Sequence, residues 1–377
     1  MLIFAAILAI FVYGMIAAML GTVLPDLSDR FHLTPAQNGA IAFAQALGLM
    51  LASVGVGPLL DTEGDKAGLI LGLAFIVVAL AALPRSRSFV HLVVLMFLLG
   101  MGGGIVVTGA NALVSAVTPE HRATALNLLN LFFGLGGLAT PFIAANVFRR
   151  NWVRLCSTVA LLAAGALVVQ AFTSVPAPAG GARFVPAEAA SVLGRPSLFL
   201  LGLFLFLYVS CEVGVWNWLP RHLIAQGIPE SRALNILSLG FALGLLVGRV
   251  GVSQILIRVP AIEVTLAASV AMAVTTFLML RTSKPLAATA LVFLAGVAMA
   301  PVFPTVLAIT GTAFPRMTGT AIGFVITCGW AGLAVSSKVI GNIAGSDPLR
   351  LKKALMLIPA SAVLMIGLNL AIWSVLR

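Results

Sequence analysis

The sequence predicts an all-α integral membrane protein with twelve transmembrane helices in two six-helix bundles. Three observations support this fold class. The 377 residues are 61% hydrophobic and only 9% charged, and the mean hydropathy of +1.13 lies far outside the range of soluble globular domains. Apolar runs of roughly 20 residues, long enough to cross about 30 Å of hydrocarbon, occur twelve times. One polar segment that contains several prolines divides them into two groups of six.

The individual elements follow from the polar, proline and glycine breaks between these apolar runs. The first six runs are 2–25, 36–60, 67–84, 89–116, 123–148 and 152–172, and the second six are 197–220, 232–256, 260–280, 285–310, 319–344 and 354–376. The polar segment 173–196 is too rich in proline, glycine and arginine to be a span, so we expect a cytoplasmic linker between bundles 1–172 and 197–377. Corresponding runs lie about 190 residues apart, which indicates two parallel repeats.

The cysteines and the N-terminus agree with a membrane protein. Cys156, Cys211 and Cys328 all fall within predicted spans, so we expect free thiols that pack as small apolar side chains and no disulfide. Met1 leads directly into an apolar run with no basic segment and no cleavage motif. This pattern predicts a first membrane helix and not a cleaved signal peptide.

The distribution of basic residues opposes the orientation that we expect. With a cytoplasmic N-terminus, eight basic residues, Arg249 among them, belong to the inside loops and ends, and thirteen belong to the outside. Cytoplasmic loops normally carry the excess of Lys and Arg, so charge alone favours an inverted protein. We nevertheless expect both termini in the cytoplasm and the chain in the cell inner (plasma) membrane, because of the loop motif that follows.

A polar motif lies between the second and third runs, where the sequence reads GPLLDTEGDKAG. The residues that fit the spacing G-x-L-x-D-x-x-G-x-K are Gly57, Leu59, Asp61, Gly64 and Lys66. Glycines permit a tight turn between packed helices, and Asp61 can accept charge-assisted hydrogen bonds from a basic neighbour such as Arg122. An ordinary polar loop is the alternative. The motif resembles the signature cytoplasmic loop of the major facilitator superfamily, with fewer cations than is usual there and a weak echo at Gly248-Arg249.

Further stretches of the sequence indicate one branch of this superfamily. Five stretches are similar to the fucose/glucose permease branch of this superfamily. In the second half they are EVGVWNWLP in the seventh span, GVAMAPVFPT at 296–305 and the FPRMTGTAIGF that follows; in the first half they are GTVLPDLSDRFHLTPAQNGAI and TGANALV. The resemblance implies the major facilitator fold, alternating access and a central sugar site. It also implies proton-coupling acids in the first and fourth helices, but this chain has Gly21 and Val107 at those positions.

The seventh span places a carboxylate, Glu212, late in its apolar run, and no other acid lies so deep in a predicted span. An ionisable group in hydrocarbon is costly unless it faces a cavity or a partner, which makes it a candidate functional residue. Tyr208 and Trp216 lie four residues to either side and share its helix face. We expect Glu212 to couple protons or to bind sugar hydroxyls, with the rings stacking on a pyranose. The alternative is a structural hydrogen bond that positions the helix.

Neutral polar residues in other spans are further candidates. Thr108 and Asn111 lie one turn apart in the fourth span, and Asn127 and Asn130 lie one turn apart in the fifth. Amides both donate and accept hydrogen bonds, which suits polyol recognition. The alternative for each is a hydrogen bond that joins two membrane helices.

Lys338, in the eleventh span, can attract an anionic substrate, pair with an acid such as Glu212, or extend its ammonium group to the membrane surface. We favour the last because Lys338 lies past the middle of the span. Gln45, Thr327 and Trp330 are weaker candidates for a cavity wall.

The leading prediction is a secondary transporter for a sugar or similar small polar solute, either proton-coupled through Glu212 or facilitative. An efflux transporter for drugs, muropeptides or lipid-like compounds is the alternative. GLGGLATP at 134–141 in the fifth span argues against it, because the glycine-proline pattern typical of antiporters is longer, although Gly134, Gly136, Gly137 and Pro141 match part of that pattern. A non-transporting membrane receptor is a remote alternative, because the longest segment outside the predicted spans is the linker 173–196.

We expect no enzyme activity, because no H-E-x-x-H or G-x-S-x-G motif is present. We also expect no cofactor and no metal. The expected partners are a small-molecule substrate, protons if transport is coupled, and the lipid bilayer, for a monomeric protein. The net charge of +11 does not indicate nucleic-acid binding, because it is spread over short loops without a basic run.

Overall fold

The computed structural model of the chain consists of α-helices and describes residues 1–148, 151–174, 186–282, 284–345 and 348–376. The helices of the first half are α1 (Leu2–Phe31), α2 (Pro35–Glu63), α3 (Asp65–Ala82), α4 (Phe89–Val117), α5 (Arg122–Phe142) and α6 (Trp152–Phe172). A short helix, α7 (Pro186–Leu193), follows. The helices of the second half are α8 (Pro196–Ala225), α9 (Glu230–Asn235), α10 (Leu243–Ile255), α11 (Ala261–Arg281), α12 (Pro285–Met299), α13 (Val302–Ala313), α14 (Thr318–Ala344), α15 (Pro348–Leu355) and α16 (Leu357–Leu376).

Within the described ranges, twelve helical stretches are long and apolar enough to cross a membrane, which confirms the predicted all-α membrane fold. The π-helical turns Ile143–Val147 and Ile236–Ala242 extend the stretches that contain α5 and α10. Two of the spans are broken: α12 and α13 form the tenth, and α15 and α16 form the twelfth. The first helix extends beyond the apolar run 2–25, because it continues through Pro25 to Phe31 and is followed by His32 in a left-handed conformation.

The predicted linker 173–196 is described only in part, since 175–185 lie outside the described residues. Its second part forms α7, a helix that the proline and glycine content did not lead us to expect. Cys156 and Cys211 are buried and Cys328 is half-buried, and all three are free thiols, as predicted.

The helices pack as two units. Unit 1 comprises Met1–Pro119, Leu129–Val192 and Phe314–Thr327. Unit 2 comprises Glu120–Leu128, Leu193–Ala313 and Cys328–Arg377. Each unit therefore contains one helix end from the other half of the sequence: the start of α14 in unit 1 and the start of α5 in unit 2. The division into bundles 1–172 and 197–377 stays a prediction.

Glycines set the closest helix crossings in both units. In unit 1, a Cβ atom on Gly48 of α2 or Gly100 of α4 would collide with a backbone carbonyl oxygen of the other helix. In unit 2, a Cβ atom on Gly244 of α10 would collide with a carbonyl oxygen of α12, and one on Gly296 of α12 with a carbonyl oxygen of the π-helical turn that precedes α10. Small residues permit such close approach of membrane helices. Gly48 and Gly244 are 196 residues apart, as are Gly100 and Gly296, so the predicted repeat is visible in the packing.

Candidate functional site

Glu212 lies near the middle of the 30-residue helix α8 and is half-buried. The Tyr208 hydroxyl and the Trp216 indole, one turn to either side, both lie near its carboxylate. Tyr208 is fully buried, and its hydroxyl faces the carboxylate without completing a hydrogen bond of normal geometry. Trp216 is 36% exposed and packs edge-on against Phe241, with ring centroids 5.3 Å apart. The three residues predicted to share a helix face therefore do so.

A cation that sequence analysis counted with the inside loops and helix ends lies beside Glu212. Arg249 belongs to α10, is only 5% exposed, and lies within electrostatic range of Glu212 and Tyr208. Counting Arg249 among the loop residues was wrong, because α10 continues to Ile255 and keeps the side chain within the packed helices. The sequence carried the necessary signal: Arg249 falls inside the predicted apolar span 232–256, just as Glu212 falls inside its own.

The acid and the cation make this part of unit 2 chemically distinct from an ordinary helix interface. A single charge at membrane depth is costly, and a neighbouring charge of opposite sign offsets part of that cost. The Glu212 carboxylate can accept hydrogen bonds from a bound solute while the exposed Trp216 ring offers an apolar face. The arrangement therefore suits a ligand that has both hydroxyl groups and an apolar surface.

The amides of the fourth and fifth spans divide between two environments. In unit 1, the Asn111 Nδ2 atom donates to the Val107 carbonyl at 2.7 Å, and its Oδ1 atom accepts from Asn130 Nδ2 at 2.8 Å. Both asparagines are buried, so this pair forms the interhelical hydrogen bond that was the alternative to ligand binding. Thr108 is also buried, and its hydroxyl has no hydrogen-bond partner among the described residues. A binding role for these three side chains stays a prediction.

Asn127 belongs to unit 2, although it is only one turn from Asn130. Its Nδ2 atom donates to the Ala123 carbonyl at 2.9 Å and to the Thr305 hydroxyl of α13 at 3.1 Å. Both side chains are buried. Asn127 thus joins α5 to α13, and sequence analysis did not single out Thr305.

The remaining candidates lie at less distinctive positions. Gln45 is half-buried where α2 crosses α4, and Trp330 is half-buried on α14 in unit 2. The Thr327 hydroxyl donates to the Gly323 carbonyl at 2.8 Å. Lys338 is exposed, next to the exposed Val339 on α14. That position agrees with a side chain that extends its ammonium group toward the membrane surface.

Asp61 of the loop motif is hydrogen-bonded to the start of α14. The Asp61 carboxylate, at the end of α2, accepts hydrogen bonds from the Gly319 N–H at 2.8 Å, the Thr320 N–H at 2.8 Å and the Thr320 hydroxyl at 2.6 Å. Because α14 begins at Thr318, these N–H groups are among the first four, which have no partner within the helix. A negative charge there is also stabilised by the helix dipole. Asp61 therefore caps α14 from a different helix.

Among the described residues, the partners of Asp61 are thus two backbone N–H groups and a hydroxyl, and not the basic side chain that we expected. Arg122 instead donates to the Thr312 hydroxyl at 2.6 Å in unit 2. The predicted tight turn is present, since Gly64 has φ 85° where α2 ends and α3 begins. Leu59 and Lys66, the other two motif residues, are both half-buried.

A repeat-related contact joins the corresponding helices in unit 2. The Thr124 hydroxyl of α5 donates to the Ser253 carbonyl of α10 at 3.1 Å. Thr124 precedes Thr320 by 196 residues, and Ser253 follows Gly57 by the same number. Gly57 packs against Thr320, so the two contacts are equivalent within the repeat. The two contacts differ in charge, because Ile257 in the second repeat occupies the position of Asp61 in the first.

We expect Gly57→Ala to weaken the α2–α14 contact by about 1–3 kcal/mol, as overpacking of a well-packed site does. The new Cβ atom would lie 2.6 Å from the Thr320 Cα atom, and neither backbone can move without disturbing the Asp61 hydrogen bonds. Thermal unfolding of the purified protein measures the loss. Gly55→Ala is the matched control, because a Cβ atom there meets nothing within 4 Å. Equal melting temperatures for the two variants would contradict the expectation.

Comparisons with known proteins agree with this architecture. A profile of the Major Facilitator Superfamily matches residues 6–337. The glucose/mannose transporter GlcP of Bacillus subtilis (strain 168) is 25% identical over 380 residues, which cover 96% of this chain and 92% of GlcP. The 4-hydroxybenzoate transporter PcaK of Pseudomonas putida is 32% identical over 143 residues, which cover 37% of this chain and 32% of PcaK.

Solved structures show the same fold at low sequence identity. FucP in the outward conformation superposes with a TM-score of 0.86 and 18% identity, covering 98% of both chains. The proton:xylose symporter XylE, bound to 6-bromo-6-deoxy-D-glucose, superposes with a TM-score of 0.80 and 13% identity, covering 100% of this chain and 95% of XylE. Since the superfamily profile extends over most of the sequence and the twelve apolar helices adopt this fold, the chain belongs to the major facilitator superfamily of membrane transporters.

Proposed function

We propose that the protein is a secondary transporter that moves a sugar, or a similar small polar solute, by alternating access. The observation that carries the proposal is the half-buried Glu212 carboxylate between Tyr208 and Trp216, near the middle of a membrane helix. A carboxylate accepts hydrogen bonds from neighbouring hydroxyls, and an exposed indole ring can stack on the apolar face of a pyranose. The similarity to the glucose/mannose transporter GlcP over nearly the whole chain supports a sugar.

Alternating access requires polar contacts that form and break at low cost. The Asp61 hydrogen bonds to the start of α14 and the Thr124–Ser253 hydrogen bond join helices from the two halves of the sequence. We propose that these contacts are made in one state of the transport cycle and lost in the other. We further propose that this end of the helices, and with it both termini, faces the cytoplasm, in the cell inner membrane.

Transport is either coupled to protons or facilitative, and the charge of Arg249 has a different consequence in each case. In a proton symporter, protonation of Glu212 removes the negative charge that offsets Arg249, and the conformational equilibrium shifts with it. In a facilitative transporter, Glu212 stays ionised and its charge is offset throughout the cycle. Both versions leave Glu212 in contact with the solute.

Glu212→Gln tests the site and the coupling together. We expect uptake of the preferred sugar into proteoliposomes to fall by about tenfold or more, because a hydrogen bond to a charged group contributes about 1.5–3 kcal/mol. Glucose, mannose, fucose, xylose and their sugar acids are the substrates to screen. Glu263→Gln is the matched control, an exposed acid at the start of α11.

The comparison of driven uptake with counterflow separates the outcomes. If Glu212→Gln loses uptake driven by a proton gradient but keeps counterflow, coupling passes through Glu212. If the variant keeps gradient-driven uptake, coupling through Glu212 is excluded. If the wild type gives neither uptake nor counterflow with any of these solutes, the proposed substrate class is wrong.

A small organic anion is the second candidate substrate, favoured by the buried cation Arg249 beside the candidate site. A guanidinium group binds carboxylates well, and PcaK, which is similar to part of this chain, is named as a 4-hydroxybenzoate transporter. Glu212→Gln discriminates between the candidates. Removing the competing carboxylate is expected to strengthen anion binding and to weaken sugar binding, which a thermal-shift titration measures.

A further inference from the structure

We infer that unit 2 carries a binding site for an anionic phospholipid, with one acyl chain in a cavity between α8, α14 and α16 and the headgroup near the basic helix α15. The cavity has a volume of about 130 Å³. Its wall includes Phe206 and Ser210 of α8, Val339 of α14, and Leu357 and Ser361 of α16. None of these residues belongs to the candidate substrate site, so the inference does not depend on the proposed function.

The polar groups in the cavity wall already have partners within the protein. The Ser210 hydroxyl donates to the Phe206 and Gly332 carbonyls at 2.8 and 3.1 Å. The Ser336 hydroxyl donates to the Ser210 carbonyl at 2.7 Å, and the Cys211 thiol lies 3.5 Å from the Ile358 carbonyl oxygen. A ligand rich in hydroxyl groups would find few unused donors here. The cavity therefore suits an apolar occupant.

The surroundings of the cavity indicate that this occupant comes from the membrane. Val335, Val339 and Leu357 are 46%, 39% and 41% exposed, and all three belong to helical stretches apolar enough to span a bilayer. The volume is well below the roughly 300–1,000 Å³ of a drug-sized site. It is large enough for a segment of alkyl chain, which gains dispersion contacts that a smooth helix surface does not offer.

Basic residues lie at the end of the helices next to this cavity. Helix α15 carries Arg350, Lys352 and Lys353 directly before Leu357, while its apolar Leu351 and Leu355 are buried. Lys353 is exposed and Lys352 is half-buried. The short helix thus presents cations outward just before α16 begins.

Helix α8 ends at the same level. The Arg221 guanidinium donates to the Gly345 carbonyl, directly after α14, at 3.0 Å, and His222 lies within electrostatic range of Lys352. Arg221 is exposed, and the exposed Lys338 is adjacent in sequence to Val339 of the cavity wall. A phosphate group there would meet several cations at a distance from the cavity that one acyl chain can span.

The charge pattern favours an anionic phospholipid over a second copy of the chain. In a two-fold symmetric dimer the same surface of both copies would meet, and the basic residues of α15 would approach their equivalents. Each Lys or Arg near an anionic lipid surface contributes about 1 kcal/mol of attraction, or about fivefold in affinity. Zwitterionic lipids would fill the cavity without this gain.

Native mass spectrometry of the full chain, purified with phosphatidylglycerol and phosphatidylethanolamine in equal amounts, tests the inference. We expect the wild type to retain phosphatidylglycerol preferentially. Lys352→Gln and Lys353→Gln are each expected to lower that preference about fivefold. Arg87→Gln, which removes an exposed cation of unit 1, is the matched control.

Ser361→Phe tests the cavity itself, because the ring is expected to fill it and to reduce the retention of both lipids. Ser157→Phe, at an exposed position of α6, is its control. Lys353→Gln changes only an exposed side chain, so it decides the headgroup question even if Ser361→Phe fails to fold. Equal retention of the two lipids by the wild type, or a preference that the lysine variants leave unchanged, would overturn the inference. A dimer that Ser361→Phe abolishes would assign the cavity to a second copy.

Discussion

Asp61→Asn is expected to abolish most transport and to destabilise the α2–α14 contact by about 2 kcal/mol. The carboxylate accepts three hydrogen bonds, two of them from N–H groups at the start of α14 that have no partner within the helix. An asparagine keeps one acceptor oxygen, but its NH₂ group would face another N–H donor, and the favourable charge at the helix end is lost. A change of 2 kcal/mol shifts the equilibrium between the formed and broken contact by about thirtyfold.

Counterflow rates in proteoliposomes and thermal unfolding in detergent measure the two effects. Glu63→Gln is the matched control, since this exposed acid lies two residues further along α2. Thr320→Ser keeps all three hydrogen-bond donors and is expected to resemble the wild type. If Asp61→Asn behaved like Glu63→Gln in both assays, the cap on α14 would have no role in transport.

Arg249→Met is expected to cost about 3 kcal/mol of stability, near the lower end of the range for breaking a buried charge pair, because Glu212 is only half-buried. The substitution leaves the Glu212 carboxylate at membrane depth without its compensating cation. The double variant Arg249→Met/Glu212→Gln removes both charges and is expected to recover most of the melting temperature. Transport would remain impaired in the double variant, since the carboxylate is gone.

Thermal unfolding of the wild type, both single variants and the double variant closes a double-mutant cycle that measures the interaction between the two residues. Arg258→Met, at an exposed position just beyond α10, is the matched control. Additive effects of the two single substitutions would mean that Glu212 and Arg249 do not interact. The assignment of Arg249 to the candidate site would then fail.

Local helix geometry explains which parts of the candidate site could be predicted. Glu212, Tyr208 and Trp216 lie on one helix, where a spacing of four residues fixes a common face regardless of tertiary packing. The Asp61 partners could not be predicted in this way, because Thr320 is 259 residues away and the interaction depends on how α14 meets α2. The Asn111–Asn130 pair is likewise a product of packing between two helices.

The position of Arg249 within a membrane helix could have been predicted from the sequence. It was missed because every basic residue was counted as lying on one side of the membrane or the other. Counting the basic residues on the two sides of the membrane does not allow for a cation that lies within a span. The rule that marked Glu212 as costly applies equally to a guanidinium group in the apolar run 232–256. The predicted fold, in contrast, depended on twelve long apolar runs, and these specify membrane helices almost independently of one another.

The 196-residue repeat seen in the glycine positions also shows where the two halves of the sequence differ in charge. The contact at Gly57 and Thr320 includes the Asp61 carboxylate, whereas the equivalent contact at Ser253 and Thr124 has Ile257 at that position. A chain assembled from two copies of the first half would carry a charged helix cap in both places, and one assembled from two copies of the second half would carry none. The natural chain has one of each, so breaking the contact at Gly57 and Thr320 also breaks hydrogen bonds to a carboxylate, whereas breaking the contact at Ser253 and Thr124 breaks only a neutral one.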